Sequence, residues 1–317
     1  MPDTAPPFLD VPTLLEVSRH RASTVRFWQL AGVFLLVVML STYFSTFGER
    51  AAGIVNIISG LTMVLLVTVL MLIMWTTVRR ARREQMQLEA IDELIRLRRW
   101  QEAGSGLQEL LGHPTRMPHV RVQALIFLSS VLVRYGRFDD AVLVQNFLLE
   151  NVQMDGGTSH GLRLGRAMAL LRQDHLVDAD RSISELRNQV SRAGRARDQS
   201  RSADATEAES ESPQAISAGL ALVELYRDIK TNHPAEAIEL FEQAYPALRE
   251  QLGMRVADAH VLAAYAHDQL NRPAEAQSQF EKASLLAPVE ELVRRYPEVA
   301  PLVGKYPPVV LPKEVAA

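Results

Sequence analysis

The sequence predicts an all-α protein in which a two-helix transmembrane hairpin precedes an α-solenoid of about five helical hairpins with a C-terminal capping helix. Three observations predict it. Residues 27–47 and 51–78 carry no charged side chain. A pattern of base, bulky or proline residue, variable residue, acid and alanine recurs five times. Near the C-terminus, Ala276, Phe280 and Ala283 share one helical face and Pro288 ends the helix.

In chain order, residues 1–26 form a polar leader placed in the cytoplasm, with a short amphipathic stretch at residues 13–20. Residues 27–78 form the hairpin, with helices at about 27–47 and 52–76, because some twenty helical residues span about 30 Å of hydrocarbon. Arg19, Arg21 and Arg26 precede the first helix and Arg79, Arg80, Arg82 and Arg83 follow the second, with Arg50 alone in the turn. The excess of positive charge at the outer flanks puts both termini in the cytoplasm. An integral protein with two spans, by default in a bacterial inner membrane, is the expected localisation. The lipid bilayer is therefore one expected partner.

The repeats follow. RWQEA ends at Ala103, RFDDA at Ala141, HLVDA at Ala179, HPAEA at Ala237 and RPAEA at Ala276. The alanines stand 38, 38, 58 and 39 residues apart, so the odd step is one repeat plus a 20-residue insertion. In the last two units Phe241 and Ala244, then Phe280 and Ala283, continue the face, and Ala264 lies twelve residues before Ala276. Leu107, Gln145 and Ile183 occupy the phenylalanine position in the first three. This pattern resembles the tetratricopeptide repeat (TPR), whose units are two antiparallel helices, A and B, stacked into a solenoid. Residues 84–191 carry units one to three, and residues 214–296 carry units four and five with the capping helix, Val289 to Tyr296. Between them, residues 192–213 are almost without apolar side chains and read as a disordered insertion. Residues 297–317 are rich in proline and read as an extended tail.

The composition narrows the chemistry. There is no cysteine, which excludes disulfides, thiolate metal sites and thiol nucleophiles. A net charge of −3 gives no reason to expect nucleic acid. Phosphate loops, HExxH and the GxSxG elbow are missing, and His260 and His267 have no third ligand near them in sequence. No enzyme and no cofactor are expected. Resemblance to TPR proteins implies instead a groove lined by the A helices. Seven residues before the five alanines stand Arg96, Arg134, Arg172, Lys230 and Gln269. The first four offer a repeated cation for an acidic peptide, and Tyr226 and Tyr265 fall on the same side as aromatic anchors. The expected role is a membrane-tethered interaction scaffold that recruits a protein partner. The alternative is an accessory subunit of a transport, secretion or envelope-synthesis complex, with the hairpin as its main contact.

Overall fold

The computed structural model describes residues 9–19, 32, 52–115, 117–202 and 217–307. Over these residues the chain is helical and has no β-strand. It divides into two units, residues 1–152 and 153–317.

Both units are built from one element, a helical hairpin. In the first unit α2 (Ala52–Arg96) pairs with α3 (Trp100–Leu111), and α4 (Pro118–Arg134) with α5 (Phe138–Asn151). The second unit pairs α6 (Gly156–Arg172) with α7 (Leu176–Ser202), α8 (Ala218–Lys230) with α9 (Pro234–Leu252), and α10 (Val256–Gln269) with α11 (Pro273–Leu286).

The hairpin turn explains the five-residue pattern. Five positions before each repeat alanine the backbone is left-handed, at Arg98, Gly136, Asp174, Asn232 and Asn271, with φ from 56° to 73°. In the last turn the Asn271 N–H donates to the Asp268 carbonyl and the Arg272 N–H to the His267 carbonyl, each at 3.0 Å. The same pair of bonds closes the other four turns. This Schellman geometry satisfies carbonyls that the end of a helix leaves orphaned. The base of the pattern then stands just before helix B and the acid on its first turn, where negative charge complements the helix dipole. Arg99 and Glu102 pair at 2.6 Å, as do Arg137 and Asp140.

One turn on, the alanine meets the partner helix. Ala103, Ala141, Ala179, Ala237 and Ala276 are fully buried. The position four residues later is buried in every hairpin, by Leu107, Gln145, Ile183, Phe241 and Phe280. Gln145 fits there because its amide donates to Ser129 Oγ at 2.9 Å. Ser129 holds the register of Ala264, so a hydrogen bond across the hairpin stands in for apolar packing. Ala244, Ala264 and Ala283 are buried as well.

In the first unit α2 buries Leu88 and Ile91 and packs on α3 and α4. In the leader, the amphipathic stretch expected at residues 13–20 forms a helix, α1 (Val11–Arg19), lying on α3 and α5. Leu14 and Leu15 are buried beneath it. Arg121 donates to the Ser18 carbonyl at 2.7 Å and Arg137 to the Leu9 carbonyl at 2.9 Å. Arg121 lies on α4 and Arg137 in the turn before α5, so their part in ordering the leader is invisible along the chain.

The transmembrane hairpin is corrected. Among the described residues no helix is long and apolar enough to cross a membrane. The first expected span and its turn lie outside the described residues, apart from Gly32. The second is not a helix of its own. It is the start of the 45-residue α2, which passes without a break through Arg79, Arg80, Arg82 and Arg83, all exposed, into the packed part of the first hairpin. No proline or glycine lies between Val78 and Arg96 to end a helix.

In the second unit α8 packs on both α6 and α10, so the A helices stack directly. Two further boundaries are corrected here. Residues 192–202 of the expected disordered insertion continue α7, and their arginine, alanine and glutamine residues favour helix. Residues 203–213 lie outside the described residues. The tail is not extended over residues 297–305. Short helix α12 (Val289–Arg295) leads through a single 3₁₀ turn, Pro297–Val299, into α13 (Ala300–Lys305). Pro297 and Pro301 occupy first-turn positions, where a missing N–H costs no hydrogen bond.

The left-handed turn residues yield a stability test. Replacing Asn271 by valine, which resists positive φ, should cost about 1–2 kcal/mol, whereas glycine should be tolerated. Urea unfolding of the two variants checks this.

Candidate partner-binding surface

The A helices bring part of the expected cation ladder to a surface that is already covered. In the first unit Arg96 is exposed and pairs with Asp92 at 2.6 Å, one turn back on its own helix. Arg134 lies with its guanidinium 5.6 Å from the centre of the Trp100 ring. Both contacts fasten the ends of A helices.

In the second unit the contacts are of another kind. The chain after α11 does not stop at the end of the array. It passes against α10 and reaches α8 and the end of α6. A helix stands where the capping helix is expected, at Val289–Arg295, and the chain beyond it reaches further than the end of the array. The reason is tertiary: the segment's acid and aromatic residues find their partners on earlier A helices.

Tyr296 is fully buried, edge-on to Tyr226 with ring centroids 5.0 Å apart. The Arg172 guanidinium lies 5.8 Å from the centre of the Tyr296 ring, within cation–π range. Glu298 accepts the Tyr226 hydroxyl at 3.2 Å and pairs with Lys230 at 2.7 Å. Lys230 also pairs with Asp174 at 2.5 Å, in the turn after α6. Arg295 pairs with the fully buried Asp258 of α10. Leu292, Val299 and Leu302 are buried between these polar contacts, each contributing about 1.5–3 kcal/mol by removal from water. At the far end Tyr306 donates to Asp268 at 2.6 Å, and Lys305 pairs with the same carboxylate.

The electrostatics follow from this closeness. Burial pulls the Lys230 ammonium down, but its bonds to Asp174 and Glu298 outweigh that and hold it above the ordinary lysine value. Burial pushes the Tyr226 hydroxyl far above the ordinary phenol value, and the Glu298 charge adds to it. Asp258 is raised because burial outweighs its arginine partners.

Of the residues singled out in the sequence, Arg172, Tyr226 and Lys230 converge on one segment. Tyr265 is half-buried on α10, and Gln269 is exposed. The residues missed are Asp174, Asp258, Arg295, Tyr296 and Glu298. A tyrosine and an acid flanking a proline, at Tyr296 to Glu298, is the available signal, but it straddles the boundary between the expected cap and the expected tail. His260 and His267 are ordinary buried residues of α10. His260 Nδ1 lies 2.7 Å from Gln279 Oε1, and its ring packs against Phe241 and Tyr245.

No protein-family model matches the chain, and no curated protein or solved structure does.

Burial pulls His260 below the ordinary histidine value, ahead of the opposing bond to Gln279. An unfolded histidine titrates at ~6.5. The stability gained by keeping it neutral is therefore complete above that pH and is lost as pH falls below it. Between pH 7 and pH 5 the melting temperature of the wild type should fall more steeply than that of His260→Gln. Parallel slopes in scanning calorimetry would show that this histidine does not set the acid response.

Proposed function

We propose that the chain is a protein-interaction scaffold built from TPR-like helical hairpins, whose A-helix face in the second unit receives an acidic, aromatic peptide segment. One observation carries this reading. Arg172, Tyr226 and Lys230, on two successive A helices, converge on a tyrosine and a glutamate of a helical segment laid across them. A face with a buried aromatic anchor beside a charge-assisted carboxylate contact has the make-up of a binding hot spot. Stacked helical hairpins supply an extended surface for such contacts, and a role in binding rather than catalysis suits it.

A second reading rests on a different feature. Met71, Leu72, Met74 and Trp75 are 63–72% exposed along α2. Contiguous exposed apolar surface of this kind marks contact sites. In this reading α2 is the main contact with a larger protein assembly and the hairpins are its docking arm.

Crosslinking capture by the full chain separates the two. The charge reversals Arg172→Glu and Lys230→Glu together should remove a specific partner while circular dichroism shows helix content unchanged. Loss of the partner only in Leu72→Glu with Trp75→Glu would favour the second reading. A partner list unchanged by either pair would reject both.

A further inference from the structure

The segment after α11 has two properties that do not usually go together. It is deeply seated, with Leu292, Tyr296, Val299 and Leu302 fully buried. Yet its helices are only seven and six residues long, far below the length at which a helix holds itself together in water. Its structure therefore depends on the surface beneath it, as a bound peptide's does. Its contacts are also those of a ligand. Tyr296 inserts between Tyr226 and the Arg172 guanidinium, and two residues later Glu298 takes up Lys230 and the Tyr226 hydroxyl. Arg295 reaches the other way, to Asp258.

Resting on the scaffold reading above, we propose that residues 289–306 are an intramolecular ligand which closes the A-helix face of the second unit, and that the partner of this face presents the same chemistry, an aromatic residue followed two positions later by a carboxylate. Occupancy by the chain itself sets the specificity. A segment with an acid but no aromatic side chain leaves the space between Tyr226 and Arg172 unfilled. One with an aromatic side chain but no acid leaves Lys230 only Asp174.

The face is then closed at rest. Its own segment is tethered, and tethering gives it a high effective concentration. An outside peptide competes only when it binds better or when the internal contact is weakened. Lys230 is the residue most exposed to this competition, because it is shared between the Asp174 turn and Glu298.

The test uses the full chain and a fluorescent peptide of residues 289–306, VEELVRRYPEVAPLVGKY. Glu298→Lys places like charge against Lys230 and weakens the internal contact without removing a buried apolar side chain. This variant should bind the peptide at least ten-fold more tightly than the wild type, by fluorescence anisotropy. Peptides carrying the equivalent of Tyr296→Ala or Glu298→Lys should lose that gain. Adding Lys230→Glu to the opened chain should lose it as well. Circular dichroism confirms folding, and Glu298→Gln provides a milder opening should the lysine variant unfold. Equal, weak binding to the wild type and to a folded opened variant would overturn the proposal and make the segment a fixed part of the fold. A dimer of the opened variant that excludes the peptide, seen by light scattering, would also overturn it, assigning the segment to exchange between copies. The peptide experiment needs no outside partner, so capture that finds none while the opened chain binds the peptide would reject the scaffold reading alone.

Discussion

The left-handed residue in each hairpin turn is the constraint on which the rest of the structure depends. It lets the N–H groups of the turn return to the carbonyls of helix A, and it brings the chain into helix B after only a few residues. Because the reversal is so tight, the residue on the first turn of helix B comes against helix A. Only a small side chain fits so close an approach, and all five hairpins place a fully buried alanine there. The positions four and seven residues on then fall on the same buried face, and their size is adjusted locally. Phe241 and Phe280 fill space in the last two hairpins, and Gln145 is accommodated by Ser129.

Each repeat of the turn also presents the end of helix A in the same way. In the first unit the cation at that end is used locally, by Asp92 or the Trp100 ring. In the second unit Arg172 and Lys230 are turned to the helical segment that follows α11. The difference lies in what is available to cover the A helices. The first unit has α1, which settles on the B helices α3 and α5 and is held from α4 by Arg121. The second has a segment whose tyrosine and glutamate match that face.

Much of the hairpin array was legible in the chain. Base, acid and alanine recur because a cap, a first-turn dipole partner and a close contact recur, and each demands a residue type at a fixed offset. The three residues that converge on Glu298 and Tyr296 were legible for the same reason, as equivalents in register. Their partners were not. Asp174 is a turn residue, Asp258 is a buried acid with no sequence mark of its own, and Tyr296 and Glu298 fall on either side of the boundary between cap and tail. Proline at 297 and 301 suggested an extended tail, although at the first turn of a helix proline is well placed. The continuation of the apolar stretch into the first hairpin was legible, since no proline or glycine follows Val78 before Arg96 to end a helix.

The sequence by itself determined the helical class, the five turns, the buried alanines and the register of the A-helix cations, because each depends on residues within a few positions of one another. Only the tertiary structure decided that α1 is seated on α3 and α5 and that the C-terminal segment lies across the A helices of the second unit. Those outcomes rest on contacts such as Arg121 with Ser18 and Tyr226 with Glu298, whose partners are 103 and 72 residues apart. Over such distances the chain carries no periodicity that names a partner, and the choice is made by which surfaces can satisfy one another's charge and fill one another's space.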